Sequence, residues 1–429
     1  GNNTRDVCIY TCVYNNTKLT LHASLNRITQ GKDLDEAGPL EKAFFESVYR
    51  LSYITGLSTS DNDIKYTIYS SAVRIVSALV VTCEIWRVLG DNLSLDEIIS
   101  CINVISIHLI TIWKLMIMVS NKDVYKKLAK AMEFSDITTD NRKKIVERWV
   151  NTHKKYLKVL MTLSCLTLTV WYTYPLVDEV EYNLMVDVKV PMAYHTPMRY
   201  AITYVAVGIM FNYASFLVIM SEVIMQAYLI PLICQYAVLA DCFENLLEEC
   251  AVEFEGTNKF VVKDNHFTEK YLTRLSDLVK KHRLILDQSM DLKKILSAPM
   301  LGQLACSGLL ICFVGYQATT TIADNLGKFI MTFLYLGYNM FTLYLICRWC
   351  EEVTVQSQRI GEAAYFSGWE SGISQVPGVR ATMILVIARA NKPVVFLAGG
   401  MYTLSLSSFT NLVKASYSAL NILLRMSRE

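Results

Sequence analysis

Seven stretches of this 429-residue chain are each long and apolar enough to cross a bilayer, and that repetition leaves room for few folds. A spanning helix needs about 20 mostly apolar residues to cover roughly 30 Å of hydrocarbon. The stretches are Tyr66 to Leu89, Glu97 to Val119, Tyr156 to Leu176, Tyr200 to Ile230, Ile295 to Tyr316, Leu326 to Cys347 and Phe396 to Leu424. Backbone amides in hydrocarbon must bond within their own segment, so the expected fold is an all-α integral membrane protein with seven transmembrane helices. A hydrophobic fraction of 53% and a mean hydropathy of +0.30 agree with that class and exclude an ordinary soluble domain. The first 20 residues hold no apolar run behind a basic start, so insertion is expected to begin at an internal helix.

Orientation follows from the connections, because short cytoplasmic loops carry the excess of Lys and Arg. Lys122, Lys126, Lys127, Lys130, Arg142, Lys143, Lys144 and Arg148 lie between spans two and three, and Lys259, Lys263, Lys270, Arg274, Lys280, Lys281 and Arg283 between four and five. The third-to-fourth loop sets Asp178, Glu179, Glu181 and Asp187 against Lys189 alone. The topology expected is therefore inverted relative to a G-protein-coupled receptor, with a cytoplasmic N-terminus and an extracellular C-terminus. The sequon at Asn92 falls outside and those at Asn2 and Asn15 inside, where they should stay unmodified.

The chain then divides into a cytoplasmic N-terminal segment (1–65), spans one to four with an extracellular loop at 177–198 (66–230), cytoplasmic helices (231–294), spans five and six (295–347), a cytoplasmic helix and linker (348–395), and the last span with its tail (396–429). Span four continues apolar through Asp241 and Leu247, and Tyr271 to Leu296 is apolar at helical spacing, so both helices are expected to project beyond the membrane and pack together.

Ionisable groups inside a span are costly and therefore informative. Glu84, Lys114 and Glu222 fall near span ends, where snorkelling to the interface is the expected explanation. Lys414 lies midway along the last stretch and should face water or a carboxylate. That stretch is polar throughout (Thr403, Ser405, Ser407, Ser408, Thr410, Asn411, Ser416, Ser418, Asn421), which suits either a water-filled path or a helix buried among others. Only Pro299 clearly interrupts a span. Twelve cysteines include one close pair, Cys347 and Cys350, without a second pair to complete a zinc site, and no nucleotide loop or nucleophile with a base is present. An enzyme, a cofactor, a metal and a nucleic-acid partner are thus not expected.

Aromatic residues crowd the outer halves of spans three, four and six. Part of this is an interfacial belt. Trp171, Phe211, Tyr335 and Tyr338 lie deeper than a belt requires, and fit either ordinary helix packing or a cavity for a small, uncharged, mostly apolar ligand.

Near the C-terminus stand Ala364-Tyr365, Trp369, Arg380, Arg389, Pro393, Leu404-Ser405-Leu406, Phe409, Lys414, Ser416-Tyr417-Ser418 and Leu423. This series resembles the insect odorant receptor signature. The match in sequence is confined mainly to about the last 65 residues, whereas length, span count and inverted topology agree over the whole chain. The connection between spans four and five lacks the long insertion of the family's co-receptor, Orco, so the chain resembles a ligand-tuning subunit.

Membership would imply an odorant-gated, non-selective cation channel of four subunits in the plasma membrane of an olfactory neuron dendrite. Its partners would be Orco in a heterotetramer, membrane lipid and a small volatile odorant such as an ester, alcohol or aldehyde. The cytoplasmic helices would form an anchor domain. The ligand site implied by the resemblance draws Cys101, Val104 and Ile105 from span two, Ser164, Thr167 and Trp171 from span three, Tyr204, Val207 and Phe211 from span four, and Tyr335 and Tyr338 from span six. The pore and gate would take Lys414, Ser418, Ile422, Arg425 and Met426 from the last span, with Ile422 and Met426 as the closing constriction. Four copies of Arg425 around one pore would repel a permeant cation, which favours a heteromer. A gustatory receptor shares the fold but usually ends in a different last-span motif. A G-protein-coupled receptor conflicts with the charge pattern, and a transporter with the absence of matching halves.

Overall fold

The computed structural model describes residues 31–426 apart from 59, 62, 91–92, 94, 132–135, 178–181, 187, 191–192, 252–264, 322–325 and 371. The three sequons, the acidic residues of the third-to-fourth loop, and Lys259 and Lys263 lie outside the described residues. Six of the seven apolar stretches form helices, and the seventh does so from Leu406. In chain order the helices are α1 (Lys32–Asp35), α2 (Pro39–Ile54), α3 (Ile64–Gly90), α4 (Leu95–Ser120), α5 (Lys122–Lys130), α6 (Asp140–Val177), α7 (Pro197–Glu244), α8 (Leu246–Ala251), α9 (Asn265–Thr321), α10 (Leu326–Tyr365), α11 (Val379–Ala390) and α12 (Leu406–Met426). A two-stranded antiparallel hairpin, β1 (Leu397–Ala398) and β2 (Tyr402–Thr403), precedes α12.

Five of these helices, α4, α6, α7, α9 and α10, are long and apolar enough to span a membrane by composition alone. Helices α3 and α12 fall short because each carries charged or hydroxyl side chains along its length. At the centre stands α7, in which every residue from Leu217 to Phe243 except Tyr228 is buried. A helix apolar on all sides has no face to offer water, so it becomes the post around which the others pack. Helices α10, α6, α3, α2, α9 and α4 all lie against it, and Phe45 of α2 meets Tyr228 at 5.0 Å between ring centres.

Several boundaries differ from the sequence reading. Span four does continue past its membrane stretch, in one helix to Glu244, before a break at Asn245 and the short α8. Span five is continuous with the amphipathic segment before it: α9 runs through Pro299 without ending, and Pro175 and Pro231 likewise sit inside helices. Span six does not stop at Cys347 but continues to Tyr365, because Ile360, Gly361, Ala363 and Ala364 bury a second apolar stripe, with Gly361 set against Ala390 of α11. Cys347 and Cys350 are fully buried free thiols within that packing.

The last span is shorter than Phe396 to Leu424. Its first ten residues form the hairpin, whose turn uses Gly399 and Gly400 at φ +59° and +74°. A side chain at Gly399 would come within 2.6 Å of Leu301, and its amide donates to the Ser297 carbonyl at 2.8 Å, so the hairpin is held on α9. Helix α12 then begins on a capping serine. The Ser408 amide donates to Ser405 Oγ at 3.2 Å, and the Leu406 amide to Glu351 at 3.0 Å. The 21 residues that follow would be about 31 Å long, the thickness of the hydrocarbon core.

The three ionisable residues assigned to snorkelling are instead buried and paired. Lys114 of α4 meets Glu222 of α7 at 2.5 Å, and Glu84 of α3 meets His108 of α4 at 3.0 Å. All four side chains are nearly inaccessible, because α3, α4 and α7 turn their polar residues toward one another. Lys414 is exposed on the outside of this chain, as is the polar face around it.

Candidate functional site

At the end of the bundle away from the helix extensions, α4, α6, α7 and α10 diverge and enclose a cavity of about 60 Å³. The spacing that builds it is helical on each wall: Val104, Ile107 and His108 from α4; Ser164, Thr167, Leu168 and Trp171 from α6; Phe211, Ser215, Val218 and Ile219 from α7; Tyr335 and Tyr338 from α10. Trp171 and Phe211 stack at 5.0 Å and 13°, and Trp171 meets Tyr335 at 5.5 Å. The loop between α6 and α7 folds back over this cluster, burying Met185 and Val186 beside Val104, Trp171 and Phe211.

Apart from His108 and Ser215, the polar atoms of the wall fall into two groups. Ser164 and Thr167 donate their protons to the carbonyls of Leu160 and Leu163, both at 2.8 Å. The Trp171 indole nitrogen and the Tyr335 and Tyr338 hydroxyls are buried without a hydrogen bond of ordinary geometry. Orphaned donors at an apolar cavity are unusual, since a buried polar group without a partner carries its full desolvation cost. What the arrangement can do chemically is hold a small, mostly apolar molecule and offer it a hydrogen bond.

Of the eleven residues that the resemblance assigned to a ligand site, the structure brings seven to the cavity wall: Val104, Ser164, Thr167, Trp171, Phe211, Tyr335 and Tyr338. Tyr204 and Val207 pack on the outer side of the aromatic cluster, with the Tyr204 hydroxyl donating to the Tyr172 carbonyl. Cys101 is buried but one turn beyond the wall, and Ile105 is rotated away from the face that carries Val104, Ile107 and His108. The sequence reading missed His108, Ile107, Leu168, Ser215, Val218 and Ile219. The signal available for His108 was a lone imidazole inside a strongly apolar span.

The five residues assigned to a pore are all exposed and lie along one side of α12: Lys414, Ser418, Ile422, Arg425 and Met426. The opposite side is docked on α9, where Ser416 Oγ donates to the Gly308 carbonyl at 3.0 Å and Leu412 and Leu420 lie over Gly308 and Gly315. Phe409 meets Tyr344 of α10 edge-on at 5.9 Å. Among the described residues, no cluster of three His, Cys, Asp or Glu side chains is placed to hold a metal.

Residues 94–417 match the family model described as 7tm Odorant receptor. Odorant receptor 94a of Drosophila melanogaster is 29% identical over 147 residues, 34% of this chain and 37% of that protein. Odorant receptor Or2 of Anopheles gambiae is 27% identical over 161 residues, 38% of this chain and 41% of that protein. Those two alignments thus span well under half the length of either relative. The fold is similar to that of the insect olfactory receptor OR5 from Machilis hrabei in complex with eugenol. The TM-score is 0.74 at 16% identity, covering 90% of this chain and 99% of that one.

Proposed function

The chain belongs to the 7tm odorant receptor family, and we propose from that premise that it is the ligand-tuning subunit of an odorant-gated, non-selective cation channel assembled with the Orco co-receptor. The observation that carries the ligand half of this reading is the aromatic cavity, where four helices meet around buried donors that lack a hydrogen bond of ordinary geometry. That the similar receptor from Machilis hrabei was obtained with eugenol supports a small organic ligand. Affinity would come chiefly from apolar burial, at about 25 cal/mol per Å² removed from water.

The exposed polar face of α12, free on a helix whose other side is docked, supports a pore-lining role in an oligomer. Helix α10 connects the two, since Tyr335 and Tyr338 wall the cavity and Tyr344, further along, touches Phe409 of α12. A ligand that fits the cavity better when α10 has shifted would bias an equilibrium whose other end is Ile422 and Met426. The basic loops support a cytoplasmic N-terminus and cytoplasmic helix extensions, and family membership supports a receptor in the plasma membrane of a sensory dendrite.

The test is current recording from cells expressing the chain alone and with Orco, challenged with volatiles under reversed cation gradients. Non-selective cation current only on co-expression is the expected result. Current from the chain alone would overturn the argument from Arg425, and silence in both despite surface expression would overturn the channel.

A further inference from the structure

The cavity holds a titratable pair that the apolar description does not use. His108 is on the wall and directs Nδ1 at Glu84, 3.0 Å away, and both side chains are almost inaccessible. Among the described residues, Glu84 is the ring's hydrogen-bond partner, and it leaves Nε2 free. The other Glu84 oxygen, Oε1, is buried without a partner. A pair so enclosed is least costly when it carries no net charge. In that condition Nε2 bears a proton whichever group holds the shared one. With the proton on Nδ1 the ring is an imidazolium with both N–H groups; with the proton on the carboxyl, Nδ1 accepts the O–H hydrogen bond and the ring's own proton sits on Nε2.

The residues lining the cavity therefore carry two groups that can only donate, His108 Nε2–H and the Trp171 indole N–H, besides the two phenols, which can do either. Ser164 and Thr167 have already directed their protons at their own helix. Apart from Ser215, whose hydroxyl can serve either way, the wall is rich in donors and poor in acceptors. A carbonyl oxygen brings two lone pairs and no proton of its own. An alkene of the same shape leaves both donors unpaired, and an alcohol satisfies one of them while adding a further proton to place.

Resting on the reading of this cavity as the odorant site, we propose that it selects uncharged volatile carbonyl compounds, ketones, aldehydes and esters, through donation from His108 Nε2 to the carbonyl oxygen, with Glu84 holding the ring.

The experiment uses the purified full chain in lipid nanodiscs and reads binding from the ligand-dependent rise in unfolding temperature. The probes are a short methyl ketone, the alkene in which C=CH₂ replaces C=O, and the matching secondary alcohol. The wild type should bind the ketone at least about tenfold more tightly than the alkene, with the alcohol between, as a buried donor left unpaired would require. His108→Leu should bring ketone and alkene within about threefold of each other. His108→Gln, which keeps an N–H donor near the same place, should restore the preference. Equal binding of ketone and alkene by the wild type, binding of none of the three, or a preference that survives His108→Leu would overturn the proposal; the wild-type ratio decides even if the leucine variant fails to fold. Because binding is read on the chain itself, a protein that discriminates the ketone yet passes no current would fail as a channel and leave this inference standing. One that conducts on odorant but binds all three alike would do the reverse.

Discussion

Helices α6 and α7 run through both ends of the molecule, and join a buried charged network at one end to an aromatic cavity at the other. At the end where α6 begins and α7 finishes, Arg142 is wholly inaccessible, yet its guanidinium donates to Asp241 at 2.8 Å, to Glu249, and to Thr138 at 3.3 Å. Arg274 of α9 joins Glu249 to Asp136, and Lys281 reaches Asp136 at 3.5 Å. Burial alone would raise the Asp136 carboxyl, but the Arg274 hydrogen bond and charge, with Lys281 and Arg142, hold it below the ordinary carboxylate range. At the other end Trp171, Tyr335 and Tyr338 keep donors buried without a hydrogen bond of ordinary geometry around a void. A paired charge resists rearrangement, because moving either partner strands the other. An orphaned neutral donor gains from any molecule that brings it an acceptor. The charged network is built to stay, the aromatic wall to respond.

The largest effect that follows is on removing Arg142. Arg142→Met leaves Asp241 and Glu249 without their shared cation and should cost about 3–5 kcal/mol, seen as a loss of folded protein in detergent and at the cell surface. Adding Asp241→Leu should restore part of that loss. If Arg142→Met were as stable as wild type, the contrast between the ends would be wrong.

Next in size is a pH effect confined to the charged end. Burial, with a smaller contribution from Lys154, lowers His153 from 6.5 to about 4, and burial with Arg389 does the same to His282. Both rings are neutral when folded and take up a proton on unfolding below pH 6.5. Each therefore contributes stability that is complete above pH 6.5 and is lost as pH falls toward 4, about 3 kcal/mol per ring over that interval. Thermal unfolding followed from pH 7 to 4 should show it, and His153→Phe should flatten about half of the slope.

What could be read without a structure divides along the same line. The apolar continuation of span four through Asp241 marked a helix that outruns the membrane, and the depth of Trp171, Phe211, Tyr335 and Tyr338 within their spans marked four wall residues. Periodicity along one helix carries that much. It does not carry which residues meet across helices. Glu84 finds His108 and Lys114 finds Glu222, 24 and 108 positions apart in sequence, through the mutual rotation of α3, α4 and α7. The misread start of the last span has a local cause: Phe396, Leu397, Ala398 and the two glycines are as apolar as a helix, and only the positive φ at Gly399 and Gly400 makes them a hairpin.

At the aromatic end, Trp171→Ala should cost less than its size suggests. It removes the stack on Phe211 and the contact with Tyr335, but its surroundings already include a cavity, so about 2 kcal/mol is expected against the larger figures typical of a filled core. The receptor should still reach the surface while its response to volatiles is lost. Misfolding as severe as that of Arg142→Met would show that the aromatic cluster is structural after all.

The smallest effect tests the seam between the two helices that join the cavity wall to the exposed face of α12. Gly308 lets α12 lie close to α9, and a methyl group added there would stand 3.2 Å from Leu412 Cδ1 and 3.6 Å from Ser416 Oγ. The first is the tip of a flexible side chain and can move by a few tenths of an ångström. The second is the hydroxyl that donates to the Gly308 carbonyl at 3.0 Å, so Gly308→Ala should loosen that bond without unseating the helix. A cost of about 1 kcal/mol is expected, small in a stability measurement. If α12 lines a gated pore, the same cost falls on one of two nearly balanced arrangements and shifts their ratio by about fivefold, so current without odorant should change while the ranking of ligands does not. A change in ligand ranking instead would place Gly308 in the binding site, and no change in either would mean that α12 moves independently of α9.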